Sequence, residues 1–183
     1  MEGLQLAVFL STVAIALLSC ILSVFLSYNY AKNRSKSYLF WAIGMWLFTL
    51  GVALESMFAL NIVGQFLFKT YLFVVVLIVE MLSLGSAFLS QRAVFRIAYS
   101  AYIAAISIAN IVVLASANVG NILSNYVVFS PLPNSVVIAS SLGTFPAAAV
   151  IIIFAALSYR QRHSLKMLSI IAGVIIVSIA GTL

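Results

Sequence analysis

Charged side chains are scarce in this sequence. They make up 7% of its 183 residues, whereas hydrophobic residues make up 65%. A soluble domain carries about a quarter charged residues, so this chain has too little polar surface to face water on all sides. The deficit excludes a soluble globular domain and predicts an integral membrane protein.

The residue types that most often perform chemistry are scarcer still. The sequence has three acids, one histidine and one cysteine. His163 by itself cannot build a haem site that needs two histidines, and Cys20 by itself can form neither an intrachain disulfide nor a Cys/His zinc site. The sequence motifs of phosphate-binding loops, zinc proteases and serine hydrolases are missing as well. We therefore predict a protein that is not an enzyme and that holds no metal and no cofactor.

Long apolar runs, by contrast, fill most of the chain. A spanning helix needs about 20 apolar residues, and lipid offers no partner to a free backbone group, so such runs cross as helices. The first run has no basic flank before it and no small-residue cleavage site after it, which favours a retained helix over a signal peptide. We predict an all-α, polytopic membrane bundle in a single domain, 1–183, with six transmembrane helices at about 4–27, 37–59, 66–90, 97–117, 136–158 and 167–183.

The basic residues predict the orientation of these helices. Eight of the nine lysines and arginines lie in the short connections that follow the first, third and fifth runs: Lys32, Arg34, Lys36, Arg92, Arg96, Arg160, Arg162 and Lys166. Short connections rich in Lys and Arg stay in the cytoplasm. We therefore expect a multi-pass protein of the cell membrane with both termini outside. The net charge of +6 then indicates contact with the lipid bilayer rather than with nucleic acid, because no folded basic domain is present.

The longest outer connection, Asn118–Ser135, carries no charge. One interpretation is a loop in the headgroup region, with Tyr126 as an interfacial anchor. The other is a surface that a partner protein covers, because exposed apolar patches usually meet another molecule. Protein partners are thus expected either here or within the membrane.

Two charged residues face each other across the predicted turn between the second and third helices. Residues at equal depth on the two sides of such a turn include Glu55 and Lys69, both near the outer boundary. An ion pair, with the lysine side chain reaching toward the interface, accounts for both. A role for Glu55 in gating or substrate capture is the alternative.

Glu80 lies midway along the third apolar run and has no basic residue within three turns of it. A charge at that depth costs several kcal/mol, which favours a protonated carboxyl that donates a hydrogen bond. The position level with it on the next helix is Ser107, with Asn110 one turn away and Ser83 on its own helix. This cluster predicts either a neutral clasp between helices or a group that handles protons or cations.

Small residues and a proline indicate how the helices pack. Ala101, Ala105 and Ala109 recur every four residues, a spacing that lets helix backbones approach closely. Pro146 lies inside the fifth run and frees the carbonyl group of Leu142. It predicts a helix kink, or alternatively a break that coordinates a ligand or ion. Trp46 lies deep in the second run and is expected to be buried between helices.

A resemblance to known families is carried by residues 41–90, which include WAIGMWLFTLGVALESMFALNIVGQFLFKTYLF and VEMLSLGSAFL, and by SLGTFPAAAVIIIFAALSYRQR. These strings resemble small polytopic membrane-protein families of archaea and bacteria to which no activity is assigned. The chain is also similar, more faintly, to the seven-helix input modules of membrane sensor kinases. Neither resemblance implies particular functional residues.

Three functions remain compatible with the sequence. The first is a non-catalytic accessory or scaffold subunit of a larger membrane assembly, such as a respiratory complex. The second is a small proton- or cation-coupled transporter or channel centred on Glu80. The third is a sensor or signalling module that acts through partners.

Overall fold

The helices follow from the apolar runs. The computed structural model describes residues 3–119, 123–124, 127–128 and 132–162. Each of its five helices is long and apolar enough to cross a membrane, so the prediction of an all-α, polytopic chain is confirmed for these residues. The sixth predicted helix, 167–183, lies outside them. The helices are α1 (Gly3–Asn33), α2 (Lys36–Ala59), α3 (Gln65–Ala87), α4 (Ala93–Ser116) and α5 (Asn134–Arg162).

Several helix ends differ from those predicted. α1 continues to Asn33 rather than residue 27, and α5 to Arg162 rather than residue 158. Hydropathy marks where apolar side chains stop, but backbone hydrogen bonding continues through the polar residues of the membrane interface. The 31 residues of α1 span about 46 Å at 1.5 Å per residue, well beyond a hydrocarbon core of about 30 Å. Apolar length therefore underestimated these two helices.

The helices α1, α2 and α3 pack side by side in that order, and α3, α4 and α5 form a group in which each helix contacts the other two. The tight turn between α2 and α3 includes Asn61 at a positive φ of 63°, a conformation that asparagine tolerates better than most residues. The central position of α3 places its buried face within reach of three other helices.

Glycines let α3 lie close to α2. A methyl group added to Gly85 would lie 2.2 Å from Cδ1 of Trp41, so the indole ring occupies the space that a side chain would take. The Trp41 Nε1 group donates a hydrogen bond to the Leu82 carbonyl at 3.2 Å. Trp46, which we expected between helices, is instead 46% exposed, and its indole N–H group bonds to Ser27 on α1.

The end of α2 and the beginning of α3 share a small apolar cluster with the connection that follows α4. Phe58 and Phe68 pack there against Val119, which is only 2% exposed, and Leu132 packs on the cluster from the far end of the connection. Between them, strands β1 (Leu123–Ser124) and β2 (Val127–Val128) pair antiparallel. Both ends of the Asn118–Ser135 connection thus fold onto the bundle, while Tyr126 lies outside the described residues.

The small residues that pack are on a different helix from the one predicted. Ala101, Ala105 and Ala109 lie on the exposed surface of α4 in the described part of the chain. Gly143 and Ala147 on α5 are buried instead, and Ala147 is fully inaccessible. All of these positions are apolar, so hydropathy could not distinguish the packed stripe from the outward one.

Candidate functional site around Glu80

One face of α3 carries the buried polar residues. Val76, Glu80, Ser83 and Ala87 recur at helical spacing, and all four are buried. Glu80 and Ser83 are completely inaccessible. Since α3 contacts α2, α4 and α5, the carboxyl group of Glu80 is enclosed by protein on this face rather than directed toward lipid.

Ser107 lies opposite Glu80, at the position that the equal-depth argument indicated. Its Oγ atom is 2.5 Å from Oε2 of Glu80 and 2.9 Å from the Ile103 carbonyl oxygen. A serine hydroxyl has one proton and cannot donate to both oxygens at once. A protonated Glu80 satisfies both contacts, because its O–H group donates to Ser107, which then donates to Ile103. The geometry therefore accommodates a neutral acid with every proton used.

The Ser83 hydroxyl serves the backbone of Glu80 rather than its carboxyl group. It donates to the Glu80 carbonyl at 2.7 Å and accepts a hydrogen bond from the Tyr99 hydroxyl at 2.8 Å. Sequence reasoning missed Tyr99, although Tyr99, Ile103, Ser107 and Asn110 follow one another at helical spacing on a single face of α4. That spacing was the signal that could have found it.

Two polar atoms of the cluster have no hydrogen-bond partner among the described residues. They are Oε1 of Glu80 and Nδ2 of Asn110, and both are buried. Asn110 is only 2% exposed and stands one turn beyond Ser107 on the same face of α4. A buried polar atom left unpaired costs about 1–3 kcal/mol. Of the predicted residues Glu80, Ser83, Ser107 and Asn110, Glu80 thus has one free acceptor and Asn110 one free donor among the described residues.

α5 closes the region through Gly143. A methyl group at this glycine would come within 2.7 Å of Oε1 of Glu80 and 3.4 Å of the Val76 side chain. No residue larger than glycine fits beside the free carboxyl oxygen without a shift. Sequence reasoning did not connect Gly143 with Glu80.

Pro146 affects a different part of the same helix. The Leu142 carbonyl group, which loses its helical partner at Pro146, accepts a hydrogen bond from the Tyr102 hydroxyl at 2.5 Å. Pro146 itself lines an outward-facing apolar groove of about 330 Å³ together with Val137, Ile138, Ser141, Leu142 and Phe145. The proline thus ties α5 to α4, and the residue that faces Glu80 is Gly143.

Glu55 and Lys69, which were predicted to form an ion pair, have other hydrogen-bond partners in the structure. Glu55 Oε1 accepts a hydrogen bond from the Tyr71 hydroxyl at 2.5 Å, and Lys69 Nζ donates to the Ala115 carbonyl at 3.0 Å. The two residues that we expected to form an ion pair therefore each bond elsewhere. Equal depth in a helical hairpin does not determine how each helix is rotated about its axis. Tyr71 is two positions beyond Lys69 in the sequence, so it lies almost level with Glu55 as well.

The described residues contain no group of three or more His, Cys, Asp or Glu side chains that could hold a metal ion. Comparison with protein-family models, with curated proteins and with solved structures finds no match to this chain. The resemblances to small polytopic families and to sensor input modules stay predictions, as does the sensor hypothesis.

Proposed function

We propose that this chain is a non-catalytic membrane subunit that holds other membrane proteins through the outward face of α4. The observation that carries this proposal is the exposure of Ala101, Ala105 and Ala109, a stripe of small residues on the surface of α4 in the described part of the chain. Such stripes let a second helix approach a backbone closely and pack against it, which favours helix association in lipid. A larger assembly, for example a respiratory complex, would supply that helix.

The proposed orientation places the basic connections in the cytoplasm. Lys36, after α1, and Arg96, after α3, both lie close to the ring of Phe88, which supports a common side for the two connections. The positive-inside rule assigns that side to the cytoplasm. With a sixth helix at 167–183, both termini would be outside the cell membrane.

Native purification in mild detergent tests the subunit proposal. We expect wild-type chain to migrate with other membrane subunits and Ala105→Leu to release them, because the larger side chain separates the backbones. Ala7→Leu is the matched control, since Ala7 is exposed on α1. A wild-type chain that migrates alone contradicts the proposal, and so does an Ala105→Leu variant that keeps its partners.

A second candidate function is proton or cation transfer at Glu80. It is favoured by the unpaired Oε1 atom of Glu80, because a buried carboxyl oxygen without a donor could accept a proton or cation. In proteoliposomes, the wild-type chain should then dissipate an imposed pH gradient and Glu80→Gln should not, since an amide does not titrate. Equal gradient decay in wild type, Glu80→Gln and empty vesicles would exclude this candidate.

A further inference from the structure

Three helix ends form a basic groove on the side of the bundle where α1, α3 and α5 end. The groove has a volume of about 420 Å³ and is lined by Lys36, Phe88, Ala93, Arg96, Ile97 and Ser100. Lys36 begins α2, Phe88 follows α3, and the other residues belong to the first turns of α4. The groove thus joins parts of the chain that are far apart in sequence.

Two cations of the groove surround a single aromatic ring. Lys36 Nζ lies 5.8 Å and Arg96 Cζ 5.9 Å from the centre of the Phe88 ring. Phe40 stacks on the same ring with a centroid distance of 5.1 Å, so part of the ring surface is already occupied. The ring attracts each cation weakly and does not neutralise either.

The chain has few acids that could balance these charges. Its three acids are Glu2, Glu55 and Glu80. Glu55 lies 19 residues along α2 from Lys36, about 28 Å away, and bonds to Tyr71. Glu80 is buried against Ser107, and Glu2 precedes α1, whose far end adjoins the groove. Neither of the two described acids therefore supplies a counter-charge here.

The surroundings of the groove favour a lipid over a free anion. On α4, Val94 is 81% exposed and Ile97 is 71% exposed, so exposed apolar side chains flank Arg96. Anionic lipids are concentrated in the cytoplasmic leaflet, the side to which the basic connections are assigned. A phosphate with attached acyl chains matches both the cations and the apolar flanks.

We propose that the basic groove binds the headgroup phosphate of an anionic phospholipid. Lys36 and Arg96 contact the phosphate oxygens, Arg96 being able to present two N–H groups at once. The Ser100 hydroxyl lines the same groove, and the acyl chains lie along Val94 and Ile97.

Lipid titration of the purified full chain in neutral detergent tests this proposal. Phosphatidylglycerol should raise the melting temperature in a saturable manner, because a ligand of the folded state stabilises it, and phosphatidylcholine should not. Each charge removed should weaken phosphatidylglycerol binding roughly fivefold, so Lys36→Gln/Arg96→Gln should lose roughly 25-fold. The charge-preserving swap Lys36→Arg/Arg96→Lys should retain most of the affinity.

Arg160→Gln is the matched control, because Arg160 is exposed near the end of α5 and does not line the groove. Its affinity for phosphatidylglycerol should stay close to that of the wild type. An equal loss in Arg160→Gln and Lys36→Gln would show general surface attraction and overturn the proposal. Inorganic phosphate that stabilises the protein as strongly as phosphatidylglycerol at the same concentration would identify a free anion as the ligand and overturn the lipid assignment.

Discussion

The carboxyl group of Glu80 meets a hydroxyl from α4 on one oxygen and a glycine from α5 beside the other. Ser107 lies 2.5 Å from Oε2, and Gly143 leaves just enough room for Oε1. Enclosure by protein allows an acid to persist at membrane depth, because it is kept away from hydrocarbon and given a hydrogen-bond partner. Whether Glu80 acts as a clasp between helices or as a group that handles protons depends on whether its carboxyl group stays neutral.

The first prediction concerns Glu80 as a clasp. Glu80→Gln should change the melting temperature in detergent very little, because an amide of similar size still donates a hydrogen bond. Glu80→Leu should cost on the order of 1 kcal/mol, since Ser107 loses its partner across the α3–α4 interface. Ser107→Ala, which removes the same contact from the other side, should cost a comparable amount. A large loss in Glu80→Gln would show that a charged carboxylate is required instead.

The second prediction concerns the partner of Glu55. Tyr71→Phe removes one hydroxyl and should destabilise the protein by about 1.5–3 kcal/mol, the range for hydrogen bonds to a charged group. Glu55→Leu and Tyr71→Phe should be non-additive in a double-mutant cycle, because leucine has no acceptor for the one bond that the two residues share. Glu55→Gln and Lys69→Met should be additive, since Lys69 bonds to the Ala115 carbonyl. If denaturation midpoints instead show additivity for Glu55 with Tyr71 and non-additivity for Glu55 with Lys69, the ion pair between Glu55 and Lys69 would be the correct interpretation.

Helices in this chain approach each other where glycine removes a side chain. Gly85 admits the Trp41 ring between α2 and α3, and Gly143 admits Glu80 between α3 and α5. Gly51 lies in the same α2–α3 interface with looser surroundings, its nearest side-chain atom being 3.6 Å from an added methyl group. Interhelical distance is therefore limited at specific positions rather than along the whole helix.

The third prediction compares these glycines. Gly85→Ala should destabilise by about 1–3 kcal/mol, the usual cost of overpacking, because the indole is rigid and would have to move. Gly51→Ala should be neutral or slightly stabilising, since its methyl group makes ordinary contacts and alanine favours helix over glycine. Thermal melting of both variants in one detergent decides the matter. Equal losses in the two would mean that glycine acts through backbone freedom and not through space.

The five described helices form an open-sided array. α1 lies at the edge against α2, and a stripe of alanines faces outward from α4. In lipid, apolar side chains have no reason to leave the surface, so an outward face by itself costs little. The association of the molecule with other helices depends on which of its surfaces another helix can approach. Its topology depends on the side of the membrane on which the charged connections lie.

The fourth prediction is the topology. In a Cys20→Ser background, single cysteines at Ser35 and Ser164 should react with a membrane-impermeant thiol reagent only from the cytoplasmic side. A cysteine at Ser124 should react only from outside. Labelling of Ser35→Cys and Ser124→Cys from the same side would contradict the alternating arrangement. Labelling of Ser164→Cys from outside would contradict the assignment of that segment.

The sequence by itself determined the helical, multi-pass class of the described chain, its five apolar spans and the position of Ser107 level with Glu80. Depth follows from the turn position and the constant rise of a helix, which is why Ser107 could be placed opposite Glu80 without coordinates. Rotation about each helix axis was decided only by the tertiary structure. Apolar residues lie on both the packed and the lipid-facing sides of a helix, so the apolar pattern does not reveal its rotation. It did not indicate that Gly143 would lie beside Glu80 or that Tyr71 would donate a hydrogen bond to Glu55. Nor did it indicate that the α4 alanines would face outward. Those outcomes depend on contacts among helices that are distant in sequence, and the sequence of a uniformly apolar helix does not indicate which of its residues make such contacts.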